Sequence, residues 1–172
     1  MTRFKTLFSP FRIGTLELRN RIVMPPMATN FAGEDGSVND RHIAYYVKRA
    51  KGGVGYITFE HTGVLRQGRA FSNMALIDSD QHIPSFRKLV EAVHKEDGKI
   101  VIQINHAGRQ TSSSITGSPI VAPSAIPCPV RKEMPQELST EEIQKIIEAF
   151  GAAVLRVKEA GADGVEIHMA HG

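Results

Sequence analysis

His168 and His171 stand three residues apart in the closing run GVEIHMAHG, and imidazoles so placed can do two kinds of chemistry. They can donate hydrogen bonds into one pocket, or bind a metal through ring nitrogens. A metal would need further ligands, and the carboxylates in reach are mainly Glu60 and Glu166. Glu166 precedes His168 by two residues and so shares a strand face with it. A salt-bridged or hydrogen-bonded place inside a sheet is the better reading for it. On residue type alone, a solvated or structural histidine pair fits as well as a functional one. Gln103 sits inside the apolar run KIVIQINH, where a buried amide costs stability unless it is partnered. Its planar donor–acceptor end suits a heterocycle edge, such as the pyrimidine part of a flavin, and suits neighbouring backbone equally. Arg109 could hold an anion or lie free on a loop. No GxGxxG follows a strand and no GxxxxGK motif occurs, so neither usual nucleotide-phosphate loop is encoded.

The chain has 172 residues, with 21 basic and 18 acidic side chains for a formal charge of +3. At 41% hydrophobic and 23% charged, it has the composition of an ordinary globular protein with one sizeable core. Disordered, collagen-like and disulfide-scaffold classes are excluded, because there is one cysteine, Cys128. A lone thiol fits a reducing cytoplasm. The charge is too small and too evenly spread for a nucleic-acid partner. No run approaches the ~18 apolar residues of a membrane span. The N-terminal MTRFKTLFSPFRIG, broken by Ser9, Pro10 and Gly14, lacks the apolar run of a signal peptide. The expectation is a cytoplasmic protein with a small-molecule partner. One domain of ~100–200 residues fits this length, whereas a complete (β/α)8 barrel of ~250 does not.

Alternating patterns predict the elements that must position these groups. Residues 11–19 read as a hairpin, and 21–27 as a strand that ends near Pro25 because proline cannot donate to a ladder. Asn39 or Asp40 caps a helix to about Ala50, with Ile43, Tyr46, Val47 and Ala50 on one face. A strand follows at 54–60, then a long loop from His61 to about Pro84. Ser85 caps a helix over 86–97, and 99–106 reads as a buried parallel strand. A Ser/Pro/Gly loop at 107–138 is long enough to be functional or mobile. Ser139 and Glu142 have capping-box spacing, with Leu138 and Ile143 as a hydrophobic staple. That helix reaches about Ala160 and should bury Ile143, Ile146, Ile147, Phe150, Val154 and Val157 before a fourth strand. The β-α-β-α-β-α-β order argues for a parallel sheet with right-handed crossovers. Ligands of such sheets bind beyond the carboxyl ends of the strands. His61, His106, His168, His171, Gln103, Asn30 and Arg109 all map to that end.

Five segments together resemble the Old Yellow Enzyme family of FMN-dependent oxidoreductases: LFSPFRIGTLELRNRIVMPPM, YYVKRAKGGVGYITFE, IQINHAGR, APSAI and GADGVEIHMAHG. They run in unbroken order over essentially the whole chain. PPMATNFA is most similar to bacterial NADH:flavin oxidoreductases, 2-enoate reductases and 2,4-dienoyl-CoA reductase-like members. The resemblance implies an α/β fold of the (β/α)8 TIM-barrel type, truncated here to about four strands. Residues 1–20 would be a capping hairpin segment, and 21–172 the first four strands with three helices. It implies FMN as cofactor and NADH or NADPH as reductant, with hydride passed to activated alkenes. Pro25, Pro26, Met27 and Ala28 would pass beside the flavin ring. Gln103 would bond its pyrimidine edge, and His61 occupies a further flavin-contacting position where a small residue is common. His168 and His171 match the pair that grips a substrate carbonyl oxygen. Asn30 falls where some members carry a substrate-contacting tyrosine, and Ala28 where some carry a cysteine. The barrel's second half would hold the FMN phosphate site, and in larger members an iron–sulfur cluster. Residues 1–172 alone are therefore expected to bind FMN poorly and turn over little. Two other readings stand beside this one. The first is a non-catalytic half-barrel that self-associates through its exposed strand edges, or pairs with a C-terminal half. The second is a metal-dependent hydrolase using His168 and His171.

Overall fold

The computed structural model describes residues 4–171; the ends of the expected domain, residues 1–3 and 172, lie outside that description. β1 (Phe11–Ile13) and β2 (Leu16–Leu18) form the expected antiparallel hairpin, turning at Gly14 with φ +58°. β3 (Val23–Met24) stops before the two prolines and is shorter than the expected 21–27. α1 (Asp40–Lys51), β4 (Tyr56–Gly63), α2 (Ile83–His94) and β5 (Ile100–Asn105) follow. A short α3 (Ser113–Thr116) and the two-residue strands β6 (Val121–Ala122) and β7 (Gln136–Glu137) lie within the expected loop 107–138. α4 (Thr140–Glu159) leads to β8 (Gly164–Ile167). The main sheet has the order β3-β4-β5-β8, and every neighbouring pair is parallel.

One face of this sheet presents Ile57, Phe59, Ile100, Ile102 and Ile104, all fully buried. Against them pack Tyr46 and Ala50 of α1, Phe86, Leu89 and Val93 of α2, and Ala153 and Val157 of α4. The Phe59 ring centroid lies 4.9 Å from that of Tyr46 and 5.4 Å from that of Phe86. Burying each such side chain contributes roughly 1.5–3 kcal/mol, so this layer is the main source of stability. Asp163 joins the elements at the opposite, amino end: its Oδ2 accepts from Ile100 N–H at 2.8 Å and faces His94 Nε2 at 2.8 Å.

Other readings also differ from expectation. β4 continues through Gly63, so His61 lies in a strand and not at the start of a loop. α2 begins at Ile83 after a 3₁₀ turn over Asp80–His82, so Ser85 is inside the helix and not its cap. Its hydroxyl donates to His82 O, while Pro84 occupies the first turn, where its missing N–H costs nothing. α4 has the expected Ser139–Glu142 capping box, but its apolar stripe is only partly covered. Ala153 and Val157 are buried, whereas Ile143, Ile147 and Val154 are 37%, 57% and 37% exposed. The described residues pack only the C-terminal half of that face onto the sheet.

The hairpin is fastened to the sheet where backbones come very close. Gly55 N–H donates to Ile22 O at 2.7 Å, and Asn20 Nδ2 donates to Gly53 O at 2.7 Å. A Cβ at Gly55 would fall 2.4 Å from Asn20 O and 2.9 Å from Ile22 O, both backbone atoms that cannot swing aside. Gly151, inside α4, has nothing within 4 Å of its own Cβ position. Gly55→Ala is therefore expected to lower stability by about 1–3 kcal/mol. Gly151→Ala should raise it by about 0.5–1 kcal/mol. Urea unfolding of both variants checks the pair, and equal effects would contradict the close approach.

Candidate active site at the carboxyl ends of the strands

β4 and β5 fall out of step near their carboxyl ends. Phe59 pairs with Ile102, but Thr62 pairs with Ile104, so β4 takes three steps where β5 takes two. Such an extra residue bends a strand and re-aims its side chains. Here it separates Glu60 from His61. Glu60 turns toward α1, while His61 stacks on Phe71 at 5.6 Å with the rings 13° apart.

His61, His168 and His171 gather in sequence-distant but adjacent positions. The ring centroids of His61 and His168 are 6.2 Å apart, and those of His168 and His171 are 5.3 Å apart. His168 follows the last residue of β8, and its N–H extends the ladder by donating to Ile104 O at 3.0 Å. His171 has left-handed backbone, φ +71°, and Gln110 Nε2 donates to its carbonyl oxygen. These histidines, with His106, Gln110 and Arg131, line a cavity of about 590 Å³. Four of the expected groups are thereby brought together.

Gln103 is 6% exposed and pairs across the ladder with Glu166, whose Oε1 accepts from Gln103 Nε2 at 2.6 Å. Glu166 thus has the hydrogen-bonded role in the sheet that its position favoured. Gln103 keeps its Oε1 and one N–H without a hydrogen bond among the described residues. Glu60 is 2% exposed, and its Oε1 lies 3.0 Å from His42 Nε2, while Oε2 accepts from Thr29 N–H. Both carboxylates are engaged away from the histidine pair. Among the described residues, no group of three or more His, Cys, Asp or Glu could hold a metal ion.

Other expected residues lie apart from the cavity wall. Pro25, Pro26, Met27 and Ala28 form the segment leaving β3, with Met27 54% exposed. Asn30 is exposed, with φ +56°, and its Oδ1 accepts from Asn73 N–H at 2.9 Å. Arg109 braces its own loop, its Nη1 donating to Ile126 O at 3.1 Å. Sequence reasoning missed Phe71, Gln110, Arg131 and His42. Phe71, Gln110 and Arg131 fall in stretches read as loop, where no periodicity marks a pocket. His42 had one overlooked signal, its place three residues after the Asn39 cap.

Burial holds the pKa of His61 below the usual value, and the neighbouring His168 and His171 push the same way against an opposing pull from Glu60. Burial also lowers His168, with His171 adding and Glu166 opposing, and burial alone lowers His106. His106 Nδ1 accepts from Gly108 N–H at 3.2 Å, so its ring proton sits on Nε2, a buried atom with no hydrogen-bond partner among the described residues. A second proton has no favourable place there. Below about pH 6.5 the unfolded chain takes up protons that the folded chain resists. Stability is therefore full above that pH and is lost as pH falls toward the depressed folded values. The melting temperature is expected to drop between pH 7.5 and 5.5, and His106→Asn, which retains an acceptor for Gly108, should flatten the drop. A melting temperature constant across that window would contradict this arrangement.

With this geometry in place, comparison with known proteins is direct. Residues 6–172 match the NADH:flavin oxidoreductase / NADH oxidase family. An NADH oxidase of Thermoanaerobacter brockii is 52% identical over the whole of this chain, which covers 27% of that protein. An NADPH dehydrogenase of Clostridium acetobutylicum is 42% identical over 96% of this chain and 48% of its own length. Among solved structures, morphinone reductase superposes with a TM-score of 0.88 at 30% identity, covering 98% of this chain and 50% of that one. The chain thus spans between about a quarter and a half of these relatives, and its four-stranded sheet corresponds to half of their eight-stranded barrel. It belongs to the NADH:flavin oxidoreductase / NADH oxidase family and has the fold of the N-terminal half of an Old Yellow Enzyme barrel.

Proposed function

We propose that these residues form the substrate- and flavin-facing half of an FMN-dependent NAD(P)H oxidoreductase that reduces activated alkenes. The observation that carries this reading is the His168–His171 pair, 5.3 Å apart in a cavity beyond the strand ends. Burial favours the uncharged form of His168, so its ring offers one N–H to an acceptor. Two such donors converging on a carbonyl oxygen would stabilise the negative charge that grows there as the alkene is reduced. Arg131 in the same wall adds positive potential.

The donor set also suits a flavin. Gln103 has one acceptor and one N–H still open, the complement of a pyrimidine edge. Pro25–Ala28 offer backbone beside it, and His61 stacked on Phe71 closes the approach from β4. When bound, the flavin would carry hydride from NADH or NADPH to the alkene's β-carbon. The chain's own part is to orient the acceptor, polarise its carbonyl and limit access of water.

FMN added to this chain is expected to shift the NMR resonances of Met27, Ala28, His61 and Gln103 before others, even at weak affinity. Shifts confined elsewhere would sink the flavin assignment. In the flavin-loaded protein, His168→Ala and His171→Ala should each lower kcat/KM for an enone by roughly 10²–10³. Unchanged turnover would remove the pair from the mechanism.

A second reading concerns assembly and is favoured by one surface. Ile147, Leu155 and Ile167 are 57%, 67% and 55% exposed on α4 and β8, and β8 is an edge strand. Exposed edges beside apolar patches invite pairing. A concentration-dependent dimer by light scattering is expected, reduced by Ile147→Lys; a monomer at all concentrations would dismiss it.

A further inference from the structure

Glu60 is the most deeply placed carboxylate described near the site, yet it does not line the cavity. Its surroundings define what it can do. Asn39, the N-cap of α1, donates its backbone N–H to His42 Nδ1 at 3.3 Å. The proton of that ring therefore sits on Nε2 and is donated to Glu60 Oε1 at 3.0 Å. Thr29 N–H is donated to Oε2. Both carboxylate oxygens thus face donors. A glutamine has the same shape but would aim its NH₂ at one of them, leaving two donors opposed in a buried place.

The same cap reaches the same loop a second time. Asn39 Nδ2 donates to Phe31 O, and Phe31 N–H is directed at Thr29 Oγ1 at 3.3 Å. Thr29–Phe31 is therefore clamped from α1 on one side and from the carboxyl end of β4 on the other. Thr29 directly follows Met27 and Ala28, which the proposed function places beside the flavin. β3 itself is only two residues long, so its own ladder does little to aim what comes after the prolines.

We infer that Glu60 is a positioning residue: by taking the Thr29 amide it holds Pro25–Ala28 in the conformation that receives the flavin. The role rests on the flavin reading above and acts through Thr29, without contact to substrate. It requires the carboxylate in full length, since aspartate is one methylene short of spanning from β4 to both donors. It also requires the His42 tautomer set by Asn39.

The test uses the full chain with FMN as the probe. In the wild type, the Thr29 amide is expected to exchange slowly with solvent. In Glu60→Gln it should exchange freely while the Ile57 amide of the β4 ladder stays protected, and the Kd for FMN should rise about tenfold, the size of one charge-assisted hydrogen bond. Thr29→Pro removes the donor and leaves the buried Glu60–His42 pair intact; having no amide to exchange, it is read by the Kd for FMN alone if Glu60→Gln fails to fold. Free exchange at Thr29 in Glu60→Gln with an unchanged Kd, or an unchanged Kd in Thr29→Pro, overturns the role and leaves the flavin reading standing. Absence of any FMN binding by the wild type sinks the flavin reading, and this role with it.

Discussion

The site depends on one extra residue in β4. Were the β4–β5 register continuous, successive residues would alternate between the two faces of the sheet, and Glu60 and Thr62 would share one. The slip between Phe59 and Thr62 breaks that alternation at the place where strand gives way to site. Phe59 and Thr62 both stay with the isoleucines of β5, so the apolar layer remains continuous. The residues between them are freed from the pleat. Glu60 can then meet α1, and His61 can meet Phe71 and His168. A regular strand would satisfy the core equally well but could not send two neighbouring polar groups in these directions.

Polar groups bought into such a place must be partnered, and the partners explain much of the local architecture. A buried carboxylate without donors costs several kcal/mol, by order of magnitude. Glu60 avoids this with one donor from a helix and one from a loop, which makes its solvation shell a tie between three elements. Gln103 and Glu166 meet the same demand across the β5–β8 ladder. The histidines follow a different rule. Burial favours their uncharged form, which leaves ring N–H groups able to donate without bringing a cation into the wall.

Much of this was legible in the residues, and the failures have physical causes. The strands β4, β5 and β8, the Asn39 and Ser139 caps and the apolar face of α2 follow from periodicity and capping chemistry. Periodicity is blind to a bulge, because one inserted residue keeps the composition of a strand while ending its alternation. That is why β4 seemed to stop at Glu60 and His61 to open a loop. The Ser85 cap failed because Pro84 is also a good first-turn residue, and the helix used it. α4 shows that an apolar stripe records what a helix is able to bury, whereas coverage depends on which neighbours stand beside it. Of the site, the histidine pair and Gln103 were readable as residue types at strand ends. Phe71, Gln110 and Arg131 were not, since they reach the cavity from irregular segments.

The cavity wall accordingly mixes two kinds of precision. His168 directly follows β8 and its N–H donates to Ile104 O, so its backbone is set by the ladder. His171 has no such support, and its left-handed backbone is a conformation that a non-glycine residue holds only when something holds it. Gln110 supplies that contact through its Nε2, and its Oε1 is in turn occupied by the Cys128 thiol at 3.2 Å. Backbone N–H groups of Arg131 and Val130 act on the same sulfur and lower the thiol's pKa. The amide is thereby oriented: with S–H aimed at the oxygen, the NH₂ is left for His171. A histidine pair that presents two donors to one atom, as the proposed function requires, needs both backbones placed. One is fixed by the sheet, and the other by a chain of side chains from the 107–131 segment. The Pro- and Ser-rich stretch, long enough to be functional or mobile, thus holds the backbone of His171 through Gln110 and Cys128.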